Sequence, residues 1–297
     1  MRCRLEGDDP DLEYAFMEGL RDDGYTDYIA LGVPLTGDRR QPASFSLRRA
    51  GGFTDSELAA LRGFMPVFGM LSEIHVGRKL ASDLLDVYLG HGTGARVLDG
   101  AIRRGSARRI PAAVFFCDLR GFTAMSERLP RKYIINVLHD YFGAVGAAIE
   151  ASGGEILKFI GDAALAIFPV EEEASATDAC NRALQAAHDA IAGLEVVNQR
   201  REAEGKPPLR SSFGLHVGDV FYGNIGSAGR LDFTVIGPAV NRAARLEKLS
   251  ADLSVPVLVT SEFAEAASGG FRSVGHHRLK GIEDGVEAFA PVADGAS

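Results

Sequence analysis

Two aspartates stand where apolar runs stop. Asp118 closes the run Ala112–Cys117, and Asp162 follows Lys158-Phe159-Ile160-Gly161. A lone aspartate at a strand end is more often a turn or cap residue than a ligand. A pair shifts that balance, because Mg2+ takes oxygen ligands, keeps one or two carboxylates and completes its shell with water and substrate phosphates. Two ions bridged by two carboxylates can activate an attacking oxygen and stabilise a leaving one. The pair therefore predicts metal-assisted attack on a nucleotide phosphate.

The residues around the pair extend this reading. Gly121-Phe122-Thr123 follows Asp118 and leads into a helix, whose free amides suit a phosphate; the same tripeptide also makes an ordinary strand-to-helix turn. Lys158 carries three donors and no acceptor. Adenine N1 accepts a hydrogen bond and guanine N1 carries a hydrogen, so a buried lysine at a base edge favours adenine. Thr234 precedes Gly237 on a strand, where its hydroxyl can accept from an adenine amino group or simply serve β-propensity. Asn241 and Arg245 are four apart on one helical face. Arginine can hold a phosphate in bidentate fashion, and the amide can fix a ribose. Arg242 is turned away from both and reads as a surface charge. Lys280, before Gly281 on a late strand, is either a triphosphate contact or a surface lysine.

The elements that must position these residues are legible in outline. Residues 1–53 are mixed, with a helical period at Leu12, Phe16 and Leu20 and strands at Tyr28–Val33 and Ser44–Leu47. Thr54-Asp55-Ser56-Glu57 is a capping box, and Leu58, Leu61, Met65, Phe68 and Leu71 keep helical spacing after it, with Pro66 expected to kink the helix. That long helix either pairs with a copy of itself or packs on its own domain. Gly90–Arg109, rich in glycine and arginine, is the expected boundary. Beyond it come a strand at Ala112–Cys117, a helix from Pro130 to Gly153, and strands Glu155–Phe159 and Ala163–Phe168 with Asp162 at the hairpin tip. An alanine-rich helix over about 172–204 follows, then a second hairpin (Ser211–Val217, Val220–Ile225) turning at Gly218-Asp219. A strand at Phe233–Ile236, a helix from Pro238, a strand at Val257–Thr260, a short helix capped by Ser261 and two final strands complete the order. This predicts an α+β fold, a ferredoxin-like sandwich of a mostly antiparallel sheet with helices over it, preceded by a smaller α/β region and a helical linker.

Composition narrows the function classes. A net charge of −8 argues against a general nucleic-acid binder. Three widely spaced cysteines, Cys3, Cys117 and Cys180, make neither a disulfide framework nor a zinc pattern. No apolar stretch approaches the ~20 residues needed to span a bilayer, and residues 1–9 lack a signal-peptide core. The expectation is a soluble, reduced, cytoplasmic protein without nucleic-acid or membrane partners.

Taken together, Phe116-Cys117-Asp118-Leu119-Arg120-Gly121-Phe122-Thr123, Lys158-Phe159-Ile160-Gly161-Asp162, His216-Val217-Gly218 with Gly223-Asn224-Ile225-Gly226, and Phe233-Thr234-Val235-Ile236-Gly237 with Val240-Asn241-Arg242-Ala243-Ala244-Arg245 resemble the class III nucleotidyl cyclases. The match covers roughly Arg109 to Val292, with the motifs in the family's order. The resemblance implies that Asp118 and Asp162, with Leu119, hold two Mg2+ or Mn2+ ions per active site. It implies that Lys158 and Thr234 read adenine, Asn241 orients the ribose, Arg245 stabilises the transition state and Lys280 contacts the triphosphate. It further implies a homodimer whose sites form between protomers, the aspartates from one and Lys158, Thr234, Asn241 and Arg245 from the other. Threonine at the second base position resembles the class IIIb adenylate cyclases; guanylyl members resemble the chain less, tending to carry Glu and Cys there. Asp219 stands where some relatives place a basic residue.

The implied activity is conversion of ATP to cyclic AMP and pyrophosphate, with a catalytically silent nucleotide-binding module or a guanylate cyclase as rivals. Gly153-Gly154-Glu155 matches part of a dinucleotide-synthase signature, but Ile156-Leu157 follows where that signature needs an acid and an aromatic. Residues 1–53 resemble part of a GAF-type sensor. The expected organisation is 1–53 sensor region, 54–110 helical linker (54–89 assignable to either) and 111–297 catalytic domain.

Overall fold

The computed structural model describes residues 1–7, 14–100, 106–170, 175–227, 229–280 and 285–292. The chain divides into two compact units, Met1–Leu84 and Leu85–Ser297. Among the described residues no helix is long and apolar enough to cross a membrane.

In the first unit β1 (Arg2–Arg4), β2 (Asp27–Pro34) and β3 (Arg40–Leu47) form an antiparallel sheet in that order, with α1 (Ala15–Asp22) between β1 and β2. Leu12, the first position of the helical period expected there, lies outside the described residues. Buried Asp27 accepts from Arg2 (2.6 Å) and from the Phe53 amide (2.8 Å). Helix α2 (Asp55–Leu89) begins at the capping box, with Glu57 N–H donating to Thr54 Oγ1 at 3.3 Å and Thr54 N–H to Glu57 Oε2 at 2.8 Å. It runs on through Pro66, and its last turn, from Leu85, belongs to the second unit.

The second unit continues with α3 (His91–Leu98), β4 (Ala107–Leu119), α4 (Phe122–Arg128), α5 (Arg131–Ala151), β5 (Glu155–Ile160), β6 (Ala163–Pro169) and α6 (Ala176–Ala203). After these come β7 (Ser211–Gly226), β8 (Leu231–Ile236), α7 (Pro238–Leu253), β9 (Val257–Thr260), α8 (Ser261–Ala266), β10 (Phe271–His277) and β11 (Val286–Pro291). The sheet order is β10-β11-β9-β7-β4-β6-β5, with β8 on the far half of β7. Every pair is antiparallel except β7–β9.

Strand β4 is buried on both faces, which is why it reads as an unbroken apolar run. Phe115, Cys117 and Leu119 meet one core, with Tyr141, Val145 and Ile149 of α5, alanines of α6 (Cys180 among them) and Phe263 of α8. Ala112 and Val114 meet the other, with Ala239 and Ala243 of α7. By the same alternation Asp118 faces the α7 side.

Three expectations need correction. The second hairpin does not exist: Ser211–Gly226 is one strand, and β4 pairs with it from Leu119↔Ser211 to Ala107↔Gly223. Gly218 and Asp219 lie opposite Ala112 and Pro111, so cross-strand pairing overrides a local turn signal. The cap of α8 is Thr260, whose Oγ1 accepts from the Phe263 amide at 3.4 Å, not Ser261. Lys280 lies in an exposed turn after β10 ends at His277, not on a strand. The alanine-rich helix starts at Ala176; residues 172–174 lie outside the described residues.

Candidate active site

The aspartates meet because β4 and β6 are neighbours. Asp118 pairs in register with Ala163, so its side chain stands beside the two-residue turn Gly161-Asp162 that joins β5 to β6. Gly161 has φ +66°, which a primed hairpin turn demands at its first position. The two carboxyls share a hydrogen bond. The Asp118 carboxyl is pushed up to about 7, by burial first, then by the bond to Asp162 and the charges of Asp162 and Glu247; the Leu119 amide, 3.0 Å from Oδ1, opposes this. Two half-buried acids this close do not both ionise without a neutralising charge. A donor set of two carboxylates whose negative form lacks only a cation fits divalent metal. Among the described residues no group of three or more His, Cys, Asp or Glu side chains forms a metal cluster. The Leu119 side chain is a hydrocarbon without donor atoms, so only its backbone oxygen can serve as a ligand.

The backbone of Asp118 is pinned. Ser211 Oγ donates to the Asp118 carbonyl at 2.9 Å, and the buried Tyr141 hydroxyl lies 2.9 Å from Ser211 Oγ. Sequence reading missed Glu247, a buried acid on α7 that accepts from Ser212 Oγ at 2.5 Å, Ser212 being opposite Asp118 in register. Burial and the charge of Asp162 raise its pKa against the Ser212 bond. The available signal was its phase, since it shares the buried helical face of Ala239, Ala243, Leu246 and Ser250. Helix α7 comes this close because of Gly214, where a Cβ would lie 2.2 Å from the Ala243 carbonyl oxygen and 2.3 Å from the Glu247 nitrogen. Arg120 turns away from the pair and donates to the Ser250 carbonyl at 3.0 Å.

Lys158 lies on β5 directly after a β-bulge: Ile156 pairs with Ala166 and Lys158 with Leu165, leaving Leu157 extra. Its Nζ is 3.3 Å from Asp232 Oδ2 on β8, an acid that sequence reading also missed. Lys158 and Asp232 line a cavity of about 450 Å3 with Tyr88, Ile156, Arg230 and Phe233. Thr234, two residues beyond Asp232 and so on the same strand face, is buried, and its hydroxyl has no hydrogen-bond partner among the described residues.

The remaining site residues stand apart. Asn241 and Arg245 lie on the exposed face of α7, opposite Glu247, and neither side chain has a partner among the described residues. Arg242 pairs with Glu262 at 3.2 Å. Gly121, at φ +75°, caps α4; Phe122 packs against the α5–α6 core, and Thr123 is exposed. Asp219 pairs with Arg109. The chain thus joins Asp118 to Asp162 and Lys158 to Asp232, and leaves Asn241, Arg245 and Lys280 facing solvent.

This frame, a strand-end and hairpin-turn acid pair under a helix that carries an exposed Asn and Arg, defines a class. Residues 106–290 match the family described as the adenylate and guanylate cyclase catalytic domain, and the chain belongs to that family. It is similar to an adenylate cyclase of Anabaena cylindrica, 37% identical over 163 residues that make up 54% of this chain and 31% of that protein. The chain thus spans about a third of the length of this curated relative. The crystal structure of the adenylyl cyclase CyaB from P. aeruginosa superposes with a TM-score of 0.56 at 28% identity, covering 63% of this chain and 96% of that one. The guanylyl cyclase Cya2 superposes with a TM-score of 0.53 at 32% identity, again over 63% and 96%. Resemblance to both kinds identifies a nucleotide cyclase domain and leaves the base to be argued from the site.

Proposed function

We propose that the chain is an adenylate cyclase, converting ATP to cyclic AMP and pyrophosphate in a homodimer. The observation that carries the choice of base is the Lys158–Asp232 pair beside Thr234. Adenine offers an acceptor at N1 next to an amino donor, and guanine offers the reverse. A lysine donor flanked by a carboxylate and an unpartnered hydroxyl, both acceptors, complements adenine.

Asp118 and Asp162, with the Leu119 carbonyl, would hold two divalent ions, Mg2+ or Mn2+, which when bound neutralise phosphate charge and acidify the attacking hydroxyl. Asn241 orients the ribose so that its 3′-oxygen lies in line with the bond from the α-phosphorus to the leaving pyrophosphate. Arg245 offsets the charge that grows on the α-phosphate. Gly121-Phe122-Thr123 and Lys280 bind the phosphates. The partnerless, exposed Asn241 and Arg245 support a site completed by a second protomer. So do the exposed apolar residues Phe159, Ile160, Phe221 and Ile236 on the strands around the base readers. Residues 1–53 are read with this as a partial sensor region, and 54–110 as its linker to a catalytic domain at 111–297.

Turnover of ATP against GTP by the purified protein, wild type and Lys158→Glu, tests the reading. We expect ATP to be preferred and Lys158→Glu to cut kcat/KM for ATP by roughly 100-fold, because it sets acid against acceptor. Preference for GTP in the wild type makes the chain a guanylate cyclase. Absence of turnover with either nucleotide, with binding retained, makes it a silent module.

A further inference from the structure

Glu155 opens β5 three residues before Lys158, and its carboxylate is held from two directions. The Tyr222 hydroxyl donates to its two oxygens at 2.8 and 2.7 Å. Thr93 of α3, also buried, donates its Oγ1 to Oε1 at 2.7 Å. The surroundings are close-fitting: a Cβ on Gly92 would lie 3.0 Å from Oε1, and the Arg96 guanidinium sits 4.6 Å from the Tyr222 ring centroid. Burial, and then the Glu155 carboxylate, raise the Tyr222 phenol, so it stays a donor. Tyr222 is linked to the second base reader through the backbone. Its neighbour Gly223 pairs with Thr234, and Phe233 packs edge-on against its ring at 4.8 Å. Between Glu155 and Lys158 lies the Leu157 bulge. A bulged residue is left out of the ladder and re-aims the side chains beside it, so the direction of Lys158 depends on what anchors the strand just before it.

We infer that Glu155 is a positioning residue for nucleobase recognition: by tying β5 to β7 and to α3, it fixes the direction in which the bulge presents Lys158. This rests on the reading of Lys158 as the base donor. Helix α3 is part of the same device, because Thr93 is one of the two side chains that hold the carboxylate. A shift of α3 relaxes base discrimination and leaves the aspartate pair untouched.

The test measures kcat and KM for ATP and GTP on the full chain, for Glu155→Ala, Glu155→Gln, Thr93→Val, Lys158→Ala and the double variant Glu155→Ala/Lys158→Ala, with thermal melts to show folding. Glu155→Ala is expected to raise KM for ATP about tenfold and to narrow the ATP-over-GTP ratio to match, with kcat within about twofold of wild type. Glu155→Gln, which keeps an accepting oxygen, recovers most of this, and Thr93→Val moves KM about threefold. In the Lys158→Ala background Glu155→Ala adds nothing, as coupling through Lys158 requires. An equal effect with and without Lys158, or one confined to kcat, overturns the inference. If Glu155→Ala does not fold, wild-type KM and selectivity in Thr93→Val overturn it instead. A Lys158→Ala protein with an unchanged nucleotide ratio sinks the base-donor reading itself. A changed ratio there with wild-type behaviour in Glu155→Ala sinks only the role of Glu155.

Discussion

The two working regions of the catalytic unit are built to different standards. Around Asp118 each neighbour is braced: Ser211, itself held by Tyr141, donates to its carbonyl, the Leu119 amide holds its carboxyl, and Ser212 with Glu247 locks the facing helix. Around Lys158 one part-exposed ion pair, a bulge and the Glu155 anchor before it set the geometry, and that anchor is shared with the neighbouring helix α3 through Thr93. The difference teaches that charge placed for chemistry is fixed in advance by the fold. The groups that choose the base are left adjustable, where a partner or a neighbouring helix can act on them.

The strongest way to break this contrast is Asp118→Ala. It should lower cyclic nucleotide formation by about 1000-fold at saturating substrate while the melting curve stays near wild type. Near wild-type turnover would remove the aspartate pair from the chemistry. Next in size is Gly214→Ala, which drives a methyl into the α7 backbone and should cost about 3 kcal/mol in denaturant unfolding. An unchanged midpoint would show that α7 is not seated on β7 as described.

A smaller loss should come from acid. Burial lowers the pKa of His216, hydrogen-bonded to Thr260 Oγ1 at 2.8 Å, from an ordinary 6.5 to about 4. The unfolded chain takes up that proton near 6.5 and the folded chain only near 4. This stability is therefore present above about pH 6.5 and is lost as pH falls toward 4. Unfolding titrations of wild type and His216→Gln should differ in slope across that window, and parallel curves would refute the assignment. Smallest is Asp232→Asn. An exposed pair is worth at most about 1 kcal/mol, so KM for ATP should rise no more than about fivefold with kcat unchanged. A larger loss would mean that the base edge is as rigidly built as the aspartate pair.

What was legible in the sequence follows from range. Asp162 was readable as a hairpin tip because two short apolar strands flank Gly161-Asp162 and pair locally. The capping box at Thr54 was readable for the same reason. The false turn at Gly218-Asp219 came from local residue types, and only the partner strand β4, a hundred positions away in sequence, shows that the chain stays extended there. Glu247 and Asp232 were missed because a charged residue on a helix or an edge strand ordinarily faces water; their partners Ser212 and Lys158 come close only in the fold. Lys280, expected on a late strand before Gly281, falls in a turn because β10 has already ended at His277.

Cys117 stands one residue before Asp118, and Cys180 lies on the buried face of α6; burial pushes both thiols up to about 12. Neutral and walled off, neither can react with an alkylating reagent until the core around β4 opens. Their labelling rate is thus a built-in clock for opening of the strand that carries the first aspartate, readable by mass spectrometry without any engineered probe.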